Sequence, residues 1–219
     1  MRNDTIKVLD NCKLIANMKG FSPDTLLYTV EAMIKGGIRA VEIVPNDTTE
    51  EAERDCVIKI NGLKKCFGKD LIVGASNVFS ERLVKLAKGV GADFISTAVL
   101  NPNVLSRANA VDMCVIGGGF TATEINNALS LGADYVKLFP SLINGSADYA
   151  KLMAETFKGK KLIASGNISF EDITPLKHAG INYFSIGGSL ANVTLANKQE
   201  YAIIEREAAR YCELLEKLG

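Results

Sequence analysis

The chain has 219 residues, 47% of them hydrophobic, and equal numbers of acidic and basic side chains give it a formal net charge of zero. That length and apolar content suffice for one buried core, and a neutral chain without a basic patch argues against nucleic acid as a partner. It has no run of eighteen apolar residues, and the segment Met1–Lys7 lacks the apolar centre of a signal peptide; the expectation is a cytoplasmic protein with no membrane partner.

A short helix near 3–11 precedes the first strand, Leu14–Met18. Ser22-Pro23 starts a helix over 22–35, and the strand Ala40–Val44 and a helix over 48–67 follow. The strand Leu71–Ala75 leads to Ser80-Glu81 and a helix over 80–89, and Phe94–Thr97 to a helix over 102–109. After the strand Met113–Gly117, Thr121-Ala-Thr-Glu124 reads as a capping box, in which the hydroxyl and the carboxylate satisfy free backbone donors at the start of a helix over 121–131. The strands Tyr135–Phe139, Lys161–Ala164 and Tyr183–Gly187 alternate with helices over 146–157 and 170–179, and a long amphipathic helix over 198–217 ends the pattern. Eight strand–helix units in strict alternation predict an α/β fold, a (β/α)8 TIM barrel in a single domain over 1–219, with an N-terminal helix and a long C-terminal helix. Alternation alone also fits an open doubly wound sheet.

An internal repeat sets the register. Gly37-Ile-Arg-Ala-Val-Glu42, Gly91-Ala-Asp-Phe-Ile-Ser96, Gly132-Ala-Asp-Tyr-Val-Lys137 and Gly180-Ile-Asn-Tyr-Phe-Ser185 each run from a glycine through a short apolar stretch to a polar residue. They are strands two, four, six and eight. Residues alternate between the two faces of a strand, so Ala40, Glu42 and Val44 share one face, as do Tyr135, Lys137 and Phe139. The opposite face, with Val41, Ile43, Val136 and Leu138, is wholly apolar and suits the outer helices. Barrel interiors fill in layers of four side chains from alternate strands, so Glu42, Ser96, Lys137 and Ser185 should form one layer.

A charge left alone in a dry core costs several kcal/mol, so Glu42 and Lys137 should pair. The pair can be structural, fixing the barrel. It can also be catalytic, as a nucleophilic amine with a carboxylate proton shuttle. Burial favours a neutral amine and an adjacent carboxylate favours the ammonium, so the two influences oppose each other.

Other chemistry is sparse. Cys12, Cys56, Cys66, Cys114 and Cys212 include no Cys-x-x-Cys pair, which fits free thiols in a reducing compartment. The single histidine, His178, sits at a predicted helix C-terminus, where a cation suits the dipole. One histidine rules out a multi-histidine zinc site and argues against a His-based triad. After strands seven and eight come Ser165-Gly166-Asn167-Ile-Ser169 and Gly187-Gly188-Ser189. In barrels of this kind those two loops often bind phosphate, because glycines let backbone amides approach an oxyanion. Tight turns also need glycine, and only the pairing of two such loops in these two units favours phosphate. Gly117-Gly118-Gly119-Phe120 reads equally as close backbone access for a substrate or as a flexible strand-to-helix turn.

Val41-Glu42-Ile43, Val73-Gly74-Ala75, Val136-Lys137-Leu138-Phe139-Pro140, Ser165-Gly166-Asn167-Ile168-Ser169 and Ile186-Gly187-Gly188-Ser189 together resemble the 2-keto-3-deoxy-6-phosphogluconate / 4-hydroxy-2-oxoglutarate aldolase family. The resemblance runs in order over residues 12 to 195, and Lys137–Pro140 is its most specific part. It implies a class I aldolase, usually trimeric, that needs neither cofactor nor metal. It implies catalytic roles for Lys137, as the Schiff-base amine, and Glu42, as the proton-transfer carboxylate. Phe139 would line the substrate site, and Ser165, Gly166, Gly187, Gly188 and Ser189 would hold phosphate. The implied substrate is a small keto acid, phosphorylated as in 2-keto-3-deoxy-6-phosphogluconate, cleaved to pyruvate and an aldehyde such as glyceraldehyde 3-phosphate. Two other readings are a phosphosugar isomerase or epimerase using Glu42 as base, and a non-catalytic phosphoester-binding relative.

The chain departs from the family pattern in four places. Asn46 stands where the family has an Arg that grips the pyruvate carboxylate, Ser76-Asn77 where it has Gly-Thr, Thr97 where it has Pro, and Asn167 where the phosphate loop has a second Gly. An Asn cannot reproduce the bidentate charged grip of Arg. Lys19, which follows strand one, is the candidate to supply the missing cation.

Overall fold

The computed structural model describes residues 2–219. Helix α1 (Arg2–Cys12) leads into β1 (Leu14–Met18), α2 (Pro23–Lys35), β2 (Ala40–Ile43), α3 (Glu50–Phe67) and β3 (Ile72–Ala75). Next come α4 (Glu81–Gly89), β4 (Phe94–Ser96), α5 (Pro102–Ala110), β5 (Cys114–Gly119), α6 (Ala122–Ser130) and β6 (Tyr135–Leu138). The chain ends with α7 (Asp148–Thr156), β7 (Leu162–Ala164), α8 (Ile173–His178), β8 (Tyr183–Ile186), α9 (Val193–Asn197) and α10 (Tyr201–Lys217). The strands are parallel and close in sequence order, β8 pairing back onto β1, so the fold is a (β/α)8 barrel and not an open sheet.

The predicted caps form. Ser22 and Ser80 accept from the N–H groups of Thr25 and Leu83, and Thr121 and Glu124 complete the capping box. These bonds satisfy donors that the first helical turn leaves free.

The strands are buried on both faces, as helix-covered parallel sheets are. Leu14, Ala16, Met18, Val41, Ile43, Val136 and Leu138 pack outward in the cluster shared with the helices. Ile15, Ala40, Ile72, Phe94, Cys114, Ile116, Tyr135 and Ile163 form the separate inner cluster. Gly74 on β3 makes this inner packing possible, because a Cβ there would lie 2.4 Å from the Phe94 ring. Helix α1 stops the lower end of the barrel. Leu9 is buried with the inner cluster, and Asp10 accepts from Tyr135 Oη at 2.7 Å, Tyr183 Oη at 2.9 Å and Lys161 Nζ at 2.6 Å.

Two features go beyond the expectations. The predicted helix over 198–217 forms as α10, and a short helix the sequence did not signal, α9, precedes it across Gln199, whose φ of +59° keeps the two apart. Asn192 caps α9 by accepting from Leu195 N–H at 3.1 Å. The glycine run 117–119 is no flexible turn but the buried end of β5. A Cβ on Gly118 would lie 2.3 Å from the carbonyl carbon of Ala98, so the glycine is there to let the β4–α5 connection lie against the strand. No helix among the described residues is long and apolar enough to cross a membrane.

Candidate active site

A cavity of about 840 Å3 opens at the carboxyl ends of the strands, where barrels of this type carry their sites. Its wall includes Lys19, Asn77, Phe79, Val99, Phe139 and Gly188, and its lining reaches down to Asn17, Ser76, Lys137 and Ser185.

The layer expected from the repeat forms the base of this cavity. Glu42 on β2 is fully buried and Lys137 on β6 is 3% exposed. Lys137 Nζ donates to Glu42 Oε1 at 2.7 Å and Oε2 at 3.0 Å, and to Ser96 Oγ at 2.9 Å. Ser96 in turn donates to Glu42 Oε2 at 2.5 Å, and Ser185 to Oε1 at 2.6 Å. All four members of the layer are thus joined in one network. Ser76 Oγ lies 3.1 Å from Ser96 Oγ and extends it toward β3. Burial alone would push the Glu42 carboxyl up. The Lys137 ammonium, its hydrogen bond and those from Ser185 and Ser96 outweigh burial and hold the group below its ordinary value. Glu42 therefore rests as a carboxylate against Lys137. A proton can pass directly between them, which would free an amine at the base of the cavity.

The structure adds a residue that the repeat did not reveal. Asn17 on β1 donates from Nδ2 to Glu42 Oε1 at 2.7 Å and also lines the cavity. Its signal was present: Asn17 shares the inward face of β1 with Ile15, so it is a polar residue in an otherwise apolar strand.

Above the layer, Phe139 is 42% exposed and faces the cavity. A Cβ on Gly166, at φ +97°, would lie 3.3 Å from the Phe139 ring, so the β7 loop approaches that ring closely because it carries a glycine. Ser165, Gly166, Gly187 and Gly188 line the same side of the cavity. Ser189 is not in the lining, and its Oγ donates to the carbonyl of Ile168 at 2.7 Å. Gly188 has nothing within 4 Å of a built Cβ, so packing gives no reason for a glycine there.

The departures from the family pattern divide in the same way. Lys19 lines the cavity, whereas Asn46 is exposed on the β2–α3 connection and outside the lining. Thr97 accepts from Gly118 N–H at 2.9 Å and donates to Val99 O at 2.5 Å, fixing the β4 connection against β5. None of the five cysteines lines the cavity, and burial pushes the Cys56 thiol up to about 12. No group of three or more His, Cys, Asp or Glu placed to hold a metal occurs among the described residues.

Comparison with known proteins finds relatives of the whole barrel. The sequence model described as "Aldolase: KDPG and KHG aldolase" matches residues 5–207. The 2-dehydro-3-deoxy-6-phosphogalactonate aldolase of Escherichia coli K12 is 30% identical over 81% of this chain and 83% of its own. The 2-dehydro-3-deoxy-phosphogluconate aldolase of Haemophilus influenzae is 25% identical over 77% of this chain and 76% of its own. Among solved structures, one described as native KDPGal superimposes with a TM-score of 0.77 at 27% identity, covering 92% of this chain and 96% of that one.

Proposed function

From the premise that this chain belongs to the KDPG and KHG aldolase family, and is therefore an aldolase and a carbon–carbon lyase, we propose that it works through a Schiff base on Lys137 and releases pyruvate from a phosphorylated 2-keto-3-deoxy sugar acid. The observation that carries this reading is the 2.7 Å contact between an amine and a carboxylate at the base of an open cavity.

The steps follow from that contact. Glu42 takes a proton from Lys137, and the free amine attacks the C2 carbonyl of the keto acid. Glu42 returns the proton as water leaves, and the resulting iminium draws electrons from the C3–C4 bond. The ionised Glu42 then accepts the C4 hydroxyl proton as that bond breaks, giving an aldehyde and the pyruvate enamine. Protonation at C3 and hydrolysis free pyruvate and restore the amine. Every transfer uses one carboxylate, held ready by its hydrogen bonds.

The remaining residues suit the rest of the substrate. Ser165, Gly166, Gly187 and Gly188 are proposed to hold the phosphate, while Ser189, whose hydroxyl goes to Ile168, supports the second loop. Backbone N–H groups of Gly166 and Gly188 have no acceptor among the described residues and lie where an oxyanion could use them. Phe139 packs against the carbon chain, and Lys19 takes the place of the missing Arg. The substrate is 2-keto-3-deoxy-6-phosphogluconate or its galactonate epimer, which is named for the Escherichia coli relative. A cytoplasmic homotrimer completes the proposal.

Borohydride reduction in the presence of pyruvate tests the reading. A reduced adduct mapped by peptide mass spectrometry to Lys137 is the expected result. An adduct on another lysine, or no adduct with pyruvate or either sugar acid, would refute it.

A further inference from the structure

As a proton carrier Glu42 would have two oxygens to use, and their hydrogen bonds differ. Oε1 accepts from three side chains: Lys137 at 2.7 Å, Ser185 at 2.6 Å and Asn17 at 2.7 Å. Oε2 accepts from Ser96 at 2.5 Å and, over 3.0 Å, from Lys137. A carboxylate offers about four lone-pair sites, so in the resting enzyme none is left for a proton.

Formation of the iminium changes this count. An ammonium has three N–H donors and a protonated imine has one, so Lys137 can no longer serve both oxygens of Glu42 and Ser96 as it does at rest. The donors that do not depend on Lys137 then decide the balance. Oε1 keeps two donors, Ser185 and Asn17, while Oε2 keeps only Ser96. We propose that Asn17 is a positioning residue that reserves Oε1 as the anchored oxygen of Glu42, so that Oε2 takes and returns the proton. Without Asn17 each oxygen would keep one donor and the two would compete.

This inference rests on the Schiff-base reading. Asn17 is well placed for such a role, since its amide lies between Glu42 and the cavity with Oδ1 turned toward Gly187. The groups that face Glu42 are Asn17 of β1, Ser96 of β4, Lys137 of β6 and Ser185 of β8, with Ser76 beyond β3 touching Ser96. Lys137 is the charged one among them; Lys19 lies at the rim of the cavity, and Tyr135 and Tyr183 turn their hydroxyls to Asp10. A neutral donor on a carboxylate favours its ionised form, so losing the Asn17 amide should raise the pH at which Glu42 becomes a competent base.

Two readouts on the intact protein separate the outcomes. Borohydride trapping of pyruvate counts Schiff bases. Exchange of the pyruvate methyl protons with D2O, followed by NMR across pH, reports proton transfer through the enamine and needs no aldehyde. Asn17→Leu should still trap pyruvate, exchange about tenfold more slowly per trapped site, and show its acid limb at higher pH than the wild type. Asn17→Asp, which keeps the side-chain shape, should move the acid limb further in the same direction, because a second carboxyl would face Glu42. It also serves as the test if the leucine variant fails to fold. An unchanged acid limb and per-site rate in a folded variant would overturn the proposal, even with a lowered Tm. If the wild type neither traps nor exchanges pyruvate, the Schiff-base reading fails and takes the proposal with it. Trapping with normal exchange in the variants sinks the proposal alone.

Discussion

Glu42 and Lys137 stand on β2 and β6, on opposite sides of an eight-stranded barrel, yet their charged groups meet at 2.7 Å. Together they span the interior. Each charge has lost its water, and each depends on the other and on the hydroxyl groups of the same layer. The first expectations concern what happens when one partner is removed.

Lys137→Met should abolish pyruvate trapping and leave the Glu42 carboxylate buried without a counter-charge. Breaking a buried pair on one side costs about 3–5 kcal/mol. The double variant Lys137→Met/Glu42→Gln should recover part of that loss, because the charge is then gone from both sides. Denaturant melts of the two single variants and the double variant measure the recovery. Strict additivity would contradict the pairing.

Glu42→Gln should slow turnover by about a hundredfold or more while preserving the fold. It should also change the response to acid. The native carboxyl lies below its ordinary value of 4.5, so its stabilising effect is present above that pH and is lost as pH falls through the native value. The wild type should therefore lose stability more steeply below about pH 4.5 than the glutamine variant. Melting and turnover measured on one preparation check both statements.

Lys19 and Asn46 should behave differently toward the substrate carboxylate. Lys19 lines the cavity and Asn46 does not. Lys19→Ala should raise KM for the keto acid with little change in kcat, by the equivalent of about 1.5–3 kcal/mol for a hydrogen bond to a charged group. Asn46→Ala should leave KM within about twofold. Steady-state kinetics decide the matter, and a KM effect at Asn46 with none at Lys19 would reverse the assignment.

Two glycines separate packing from ligand contact. Gly118→Ala would force a methyl group to within 2.3 Å of the Ala98 backbone and should cost about 1–3 kcal/mol or more. Gly188→Ala meets open space and should keep the wild-type Tm. If Gly188 carries phosphate, its alanine variant should bind phosphorylated substrate less well yet exchange pyruvate protons normally. Loss of exchange in that variant would contradict the phosphate role.

The sequence revealed the barrel and the layer because both follow from simple periods. Alternation of strands and helices implies the fold, and the glycine-anchored repeat fixes which face of the even strands points inward. Once that face is known, Glu42, Ser96, Lys137 and Ser185 must meet. Asn17 was harder to see because it lies on an odd strand, outside the repeat, where one polar residue in Leu14–Met18 has no counterpart to set its height. The Gly118 contact depends on where a distant loop lies, which local pattern does not encode. The short helix α9 escaped notice because the five residues Val193–Asn197 are too few to show a helical period. Ser189 looked like a phosphate ligand by position, but rotation about one bond gives its hydroxyl to the Ile168 carbonyl.

The closed lower end of the barrel bears on the order of events. Leu9 and Asp10 of α1 fill that end, and the cavity over Lys137 opens at the carboxyl ends of the strands. A two-part substrate anchored at the base by its keto carbon must give up its outer part first. The aldehyde then departs before pyruvate, and in the reverse direction pyruvate must enter before the aldehyde. Pyruvate should accordingly inhibit cleavage competitively against the sugar acid, and the aldehyde should inhibit in a mixed pattern. The first-in, last-out order would thus be set twice, by the covalent hold of Lys137 on pyruvate and by the closed barrel beneath it.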